Sequence, residues 1–220
     1  RQAKIAFFRQ NSRPGGLLVA PLLVFGNGMS MAITVWWGEY PFDPGQIRRW
    51  QMAGLDMQIR RAPQEWHIES HRHPQQHEDD HHWQISDDGS PLPDQAVLQR
   101  HLFNQTDAKL TILPLMADRS VVIKPVNPLF IAANQATTLF VSTPLWLSVS
   151  ANQSPLLDVP VVRPTETWFG SSPIRGELCY ATKVFGRIDL EQLPIRPFRA
   201  VTPVHILNRS GNTMPIERIN

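Results

Sequence analysis

The 220-residue chain holds one cysteine, Cys179. A single thiol excludes an intramolecular disulfide framework and any zinc site built from several cysteines. Apolar runs are short, and none approaches the roughly 20 residues of a membrane span, so no membrane span is expected. Charge is sparse too: 18% of residues are charged, against about 25% in an average globular domain. The 42% apolar content and balanced charge exclude a disordered chain. A chain of this length buries about 70% of its unfolded surface and needs no staple to fold.

Acidic residues are absent from one stretch altogether. Residues 1–31 contain Arg1, Lys4, Arg9 and Arg13 and no acid. Removing these four from 21 Lys+Arg leaves 17 against 19 Asp+Glu, a net of −2 for residues 32–220. The pI near 9.0 therefore belongs to the leader. The near-neutral remainder lacks the basic face that nucleic-acid binding needs, so no nucleic-acid partner is expected. Within the leader, basic residues precede Gly15-Gly16 and the apolar run Leu17–Phe25, and Ser30 and Ala32 stand at signal-peptidase spacing. This pattern imitates a secretory signal, which implies a periplasmic or secreted protein. Met29 and Met31 support instead a start near residue 29 and a cytoplasmic protein, and a native arm or strand is the third reading. The expected organisation is a leader, 1–31, and a single β-rich domain, 32–220.

From residue 32 the dominant period is two, broken by Pro, Asn, Asp and Gly. Ile33–Trp37 is β-branched and aromatic and stops at Gly38. Leu55, Met57 and Ile59 alternate with Asp56, Gln58 and Arg60, which predicts a strand with one wet face. Trp66 and Ile68 follow Ala62-Pro63 as a hairpin partner, and Trp83 and Ile85 lead into the turn Asp87-Asp88-Gly89-Ser90. Strands are expected at Leu110–Leu113, Ser120–Ile123, Leu129–Ala132, Thr138–Val141 and Leu145–Val149. Pro125, Pro128 and Pro144 fall at the breaks, where a missing N–H harms a ladder least. After a Pro-rich connection come Gly176–Ala181, Ala200–Leu207, a turn at Asn208–Asn212, and Thr213–Ile216. Helix is expected at most over Pro44–Met52 and Pro93–Phe103. The fold class is therefore all-β, an antiparallel β-sandwich or two packed β-sheets with at most one or two short helices.

Six of the eight histidines lie between residues 67 and 82: His67, His71, His73, His77, His81 and His82. Imidazole with nearby Glu and Asp is a suitable donor set for zinc, nickel or copper. His71 and His73 share a face on a strand, whereas His73, His77 and His81 would share a stripe on a helix. Pro74 opposes that helix. His77-Glu78-Asp79-Asp80-His81 matches the His-Glu-x-x-His spacing of zinc hydrolases, yet no apolar stripe would pack it behind a cleft. An exposed loop is the expectation. The candidate divalent-metal ligands are His71, His73, His77 and His81, with no other cofactor, and His205 reads as a packed strand residue.

Seven tryptophans raise a sugar-stacking surface, against which stands their ordinary place in a β core. Thr167–Pro173 reads as a loop but lacks the Gly-x-Ser-x-Gly frame of a nucleophile, and no phosphate-binding glycine pattern occurs. Cys179 lies in an apolar strand pattern and reads as a buried, inert thiol. Asn208-Arg209-Ser210 fits the short glycosylation pattern. With the catalytic frames missing, the first expectation is a non-catalytic β-sandwich domain that binds a protein or small ligand through loops or an exposed strand edge, in no specified oligomeric state. Competing readings are a metal-binding protein or hydrolase using residues 67–82, and a carbohydrate-binding module.

Thr165–Gly170, Gly176–Ala181, Arg199–Val204 and Asn208-Arg209-Ser210, with Trp37-Gly38-Glu39 and Glu65-Trp66, together resemble a family of prokaryotic proteins classed as a domain of unknown function. The resemblance covers about residues 33–220. It implies a soluble β-rich domain and carries no activity or site.

Overall fold

The computed structural model describes residues 35–74, 81–194 and 196–219, together with two short backbone segments nearer the start of the chain. In chain order the strands begin Phe8–Arg9 (β1), Leu18–Val19 (β2), Gly38–Pro41 (β3), Ile47–Met52 (β4), Leu55–Arg61 (β5) and Glu65–Arg72 (β6). They continue Trp83–Ser86 (β7), Val97–Leu102 (β8), Lys109–Leu115 (β9), Val121–Pro125 (β10), Leu129–Ile131 (β11) and Ala136–Pro144 (β12). The last six are Trp146–Ala151 (β13), Ser154–Pro160 (β14), Thr165–Gly170 (β15), Gly176–Val184 (β16), Arg199–Leu207 (β17) and Met214–Ile216 (β18). Helix among the described residues is confined to one 3-10 turn, Leu190–Gln192. The all-β expectation is met.

Two compact units divide the chain. One holds Thr34–Met116 and Leu145–Arg163, and the other holds Ala117–Pro144 and Pro164–Asn220 with β1 and β2. Because the chain passes back and forth, neither unit is one continuous segment.

The Thr34–Met116 unit contains two sheets, ordered β14-β13-β9-β3 and β7-β4-β5-β6-β8. Its core is aromatic: Trp36, Trp50 and Trp66 are completely buried. Phe42 lies edge-on to Trp66 at 5.2 Å and stacks on Trp50 at 6.4 Å. The β4–β5 hairpin turns through Ala53-Gly54, with φ of +42° and +93°, the left-handed pair that matches strand twist in two-residue loops. Asn152 and Gln153 turn β13 into β14 in the same way, with φ of +51° and +63°.

In the other unit the sheets run β1-β2-β17-β12, β10-β16-β15 and β11-β18. All pairings are antiparallel except β10 with β16. Ile123, Leu139, Val141 and Val184 form the buried cluster. Arg199 is buried against β-sheet polar groups, donating to Ser142 O (2.7 Å) and Thr182 Oγ1 (2.6 Å). Asn208 is 1% exposed and donates to the carbonyls of Ile131 and Ala132. It is an internal cap for the turn predicted there, so the folded chain does not present it as a glycosylation acceptor.

Several expectations are corrected. Pro44–Met52 is not a helix: Asp43–Gln46 closes a β-turn through Gln46 N–H to Asp43 O (3.0 Å), and Ile47–Met52 is a strand between β5 and β7. Pro93–Phe103 repeats this, with Ala96 N–H on Pro93 O (2.8 Å) and β8 after it. A proline followed by a polar residue starts a turn as readily as a helix. The strand expected at Ile33–Trp37 begins only at Gly38; Ile33 and Thr34 lie outside the described residues. The Pro-rich connection contains β14 and β15. Both are edge strands, where proline is tolerated. His205 is on a strand but exposed, with Nδ1 2.8 Å from Thr138 Oγ1.

Candidate functional site

The predicted wet face of β5 is wet only at Arg60. Asp56 and Gln58 are 4% and 8% exposed, because the segment after β7 folds over them. Gln58 donates to Asp88 O (3.0 Å) and Ser90 O (3.1 Å). Arg49 on β4 holds Asp56 in a two-pronged pair, Nε to Oδ1 at 2.7 Å and Nη2 to Oδ2 at 2.5 Å, and reaches Asp88 with Nη1 (3.0 Å). The Asp56 carboxylate beside it holds the Arg49 guanidinium above its ordinary range. Burial without that pairing would be costly.

His71 lies opposite Asp56 in the ladder, and its ring meets that of His73 edge-on at 5.1 Å. The Ala53-Gly54 turn is bracketed by histidine backbone: His73 N–H donates to Gly54 O (2.9 Å), and Ala53 N–H donates to His82 O (3.3 Å). Strand order explains this, since β6 and β7 flank the β4–β5 hairpin. Asp56, His73 and His82 thereby line one pocket of about 120 Å³ at the hairpin tip. Among the described residues no three His, Cys, Asp or Glu side chains gather as a metal-binding group. Of the expected ligands, His71 and His73 come together, His81 is exposed, and His77 lies outside the described residues. His82 belongs to the histidine cluster but not to the expected ligands, and neither Arg49 nor Asp56 was expected at a site. Their meeting depends on pairings between β4, β5 and β7 that no local pattern encodes.

The second notable surface is β8. It ends its sheet and is laddered, among the described residues, to β6 alone. Val97, Leu98 and Leu102 are 60%, 50% and 77% exposed. Its one charged side chain, Arg100, is tied to Glu65 on β6 by two contacts of 2.7 Å. Those contacts, with His67 beside them, hold the Glu65 carboxyl at about 2. The protecting devices of an edge strand, proline, a bulge or a free lysine, do not occur between Val97 and Leu102.

Cys179 is fully buried, and burial pushes its thiol up, away from the thiolate that reacts. Trp36, Trp50, Trp66 and Trp146 are core residues, which removes them from any sugar-stacking face. Trp168 is half-exposed, but its indole N–H clamps its own hairpin loop at Ser172 O (2.9 Å). No helix among the described residues is long and apolar enough to cross a membrane.

These features define an all-β protein of packed, mainly antiparallel sheets, with a covered polar network and, at β8, an apolar edge left open among the described residues. The chain belongs to the protein family of unknown function DUF432, whose model matches residues 36–220. No curated protein and no solved structure matches it.

Proposed function

We propose that this is a non-catalytic binding protein that holds a protein partner by strand addition at the β8 edge. The observation that carries this reading is the exposure of Val97, Leu98 and Leu102 on a sheet-ending strand. Main-chain groups of such an edge supply affinity, and alternate side chains supply selectivity. The test uses a fluorescently labelled extended peptide of alternating valine and threonine, titrated by anisotropy. Saturable binding is expected. A Leu98→Asp/Leu102→Asp variant should weaken it at least about tenfold, since each leucine contributes on the order of 1 kcal/mol when covered. An unsaturable signal, or equal affinity in the variant, overturns the reading.

The His71–His73 ring pair favours a second reading, a divalent transition ion bound at the hairpin tip. The imidazoles of His71, on β6, and His73, just past its end, supply two nitrogen donors. Equilibrium dialysis of untagged protein against zinc should then give stoichiometric binding that His71→Ala/His73→Ala abolishes. Zinc uptake that is unchanged in this variant would place the ion elsewhere and refute the site.

A further inference from the structure

The β8 edge has a definite phase. Phe103 N–H donates to Gln64 O at 2.8 Å, and the β6–β8 register runs unbroken from Glu65↔Leu102 to Ser70↔Val97. Along an antiparallel strand, main-chain groups alternate between facing the partner and facing away. With Phe103 turned toward β6, His101, Gln99 and Val97 turn toward it as well. The N–H and C=O groups of Leu98, Arg100 and Leu102 therefore point to the open side. The side chains of the same three residues share one sheet face.

We propose that a second copy of this chain adds here, β8 against β8, antiparallel about a two-fold axis at Arg100. This rests on the strand-addition reading and names its partner. A two-fold axis perpendicular to the sheet keeps each face on its own side, so it pairs odd positions with odd and even with even. Centred on Gln99, it would bond only Leu98 with Arg100 of the second copy and the reverse, about four bonds, and would leave Leu102 opposite a residue before β8 begins. Centred on Arg100, it brings all three outward-facing residues into bonded pairs: Leu98 with Leu102 of the second copy, Arg100 with its equivalent, and Leu102 with Leu98. Each such pair exchanges two N–H···O bonds, about six in all, and a leucine pair flanks the axis on each side. Two arginines directly opposite would repel. Here each guanidinium already sits on Glu65 of its own chain, so two near-neutral ion pairs meet. A contact of six-residue strands buries less than the roughly 1,200 Å² of a stable complex, so the association is weak and concentration-dependent.

Sedimentation velocity on the full chain over a wide concentration range should show reversible passage from one to two chains. Leu98→Asp/Leu102→Asp should stay monomeric with an unchanged circular dichroism spectrum, because both side chains are exposed. Hydrogen exchange adds the register: with rising concentration the amides of Leu98, Arg100 and Leu102 should gain protection, whereas those of Gln99 and His101, already bonded to β6, should not change. A monomer at every concentration overturns the dimer. So does a dimer that survives in the double variant, or one that protects a different set of amides. A monomer that still takes up the alternating peptide overturns the dimer and leaves strand addition standing. A monomer that binds neither itself nor the peptide overturns both.

Discussion

Asp56→Ala should destabilise the protein by about 3–5 kcal/mol, the range for removing one partner of a buried ion pair. The carboxylate is 4% exposed and takes two bonds from Arg49. Its removal leaves a guanidinium under the segment that covers β4 and β5. Asp88 offsets part of the loss, since it also contacts Arg49 (3.0 Å), but its side chain is 44% exposed and its help is weakened by solvent. The lower half of the range is therefore expected. The double variant Arg49→Met/Asp56→Leu provides the contrast. It removes both charges, keeps comparable volume, and should lie within about 1 kcal/mol of the parent, because the desolvation cost disappears together with the attraction. Urea unfolding followed by tryptophan fluorescence measures both. If Asp56→Ala and the double variant cost the same, burial of charge is not what makes the pair sensitive.

Much of the strand content was legible because burial in these sheets is one-sided. Leu55, Met57 and Ile59 face the core together, and Leu110 and Ile112 repeat the pattern in β9. Where the pattern misled, a non-local partner had changed the environment. Nothing in β5 itself announces that residues after β7 will fold over Asp56 and Gln58 and leave only Arg60 of that face exposed. β8 was hidden for the opposite reason. Val97, Leu98 and Leu102 occupy both faces of an edge, so they show no period of two, and Pro93 with Asp94 resembled a helix start. The candidate site followed the same rule. His71, on β6, and His73, just past its end, meet through their local spacing alone. His82 reaches the same pocket only because β7 pairs with β4 across the hairpin. Pairing of distant segments, rather than residue type, set the limit of what could be read.

Trp66→Ala should cost a similar amount, about 3–5 kcal/mol, by leaving a cavity where a completely buried indole packs against Phe42. Trp66→Phe should cost far less. It keeps an aromatic ring against Phe42 and removes an indole N–H that has no hydrogen-bond partner among the described residues, a group whose burial is itself unfavourable. The loss of volume and the relief of that polar group oppose one another, so a change of about 1 kcal/mol is expected. Trp168→Ala, at a side chain 43% exposed, should fall well below Trp66→Ala. Trp66 also lies opposite His101 in the β6–β8 ladder, so its packing anchors the strand whose outer edge is open. Trp66→Ala should therefore speed exchange at the His101 amide more than at amides of β12 or β17, which belong to the other compact unit. Equal acceleration at all these sites would mean that the cavity lowers global stability alone and that Trp66 gives β8 no local support.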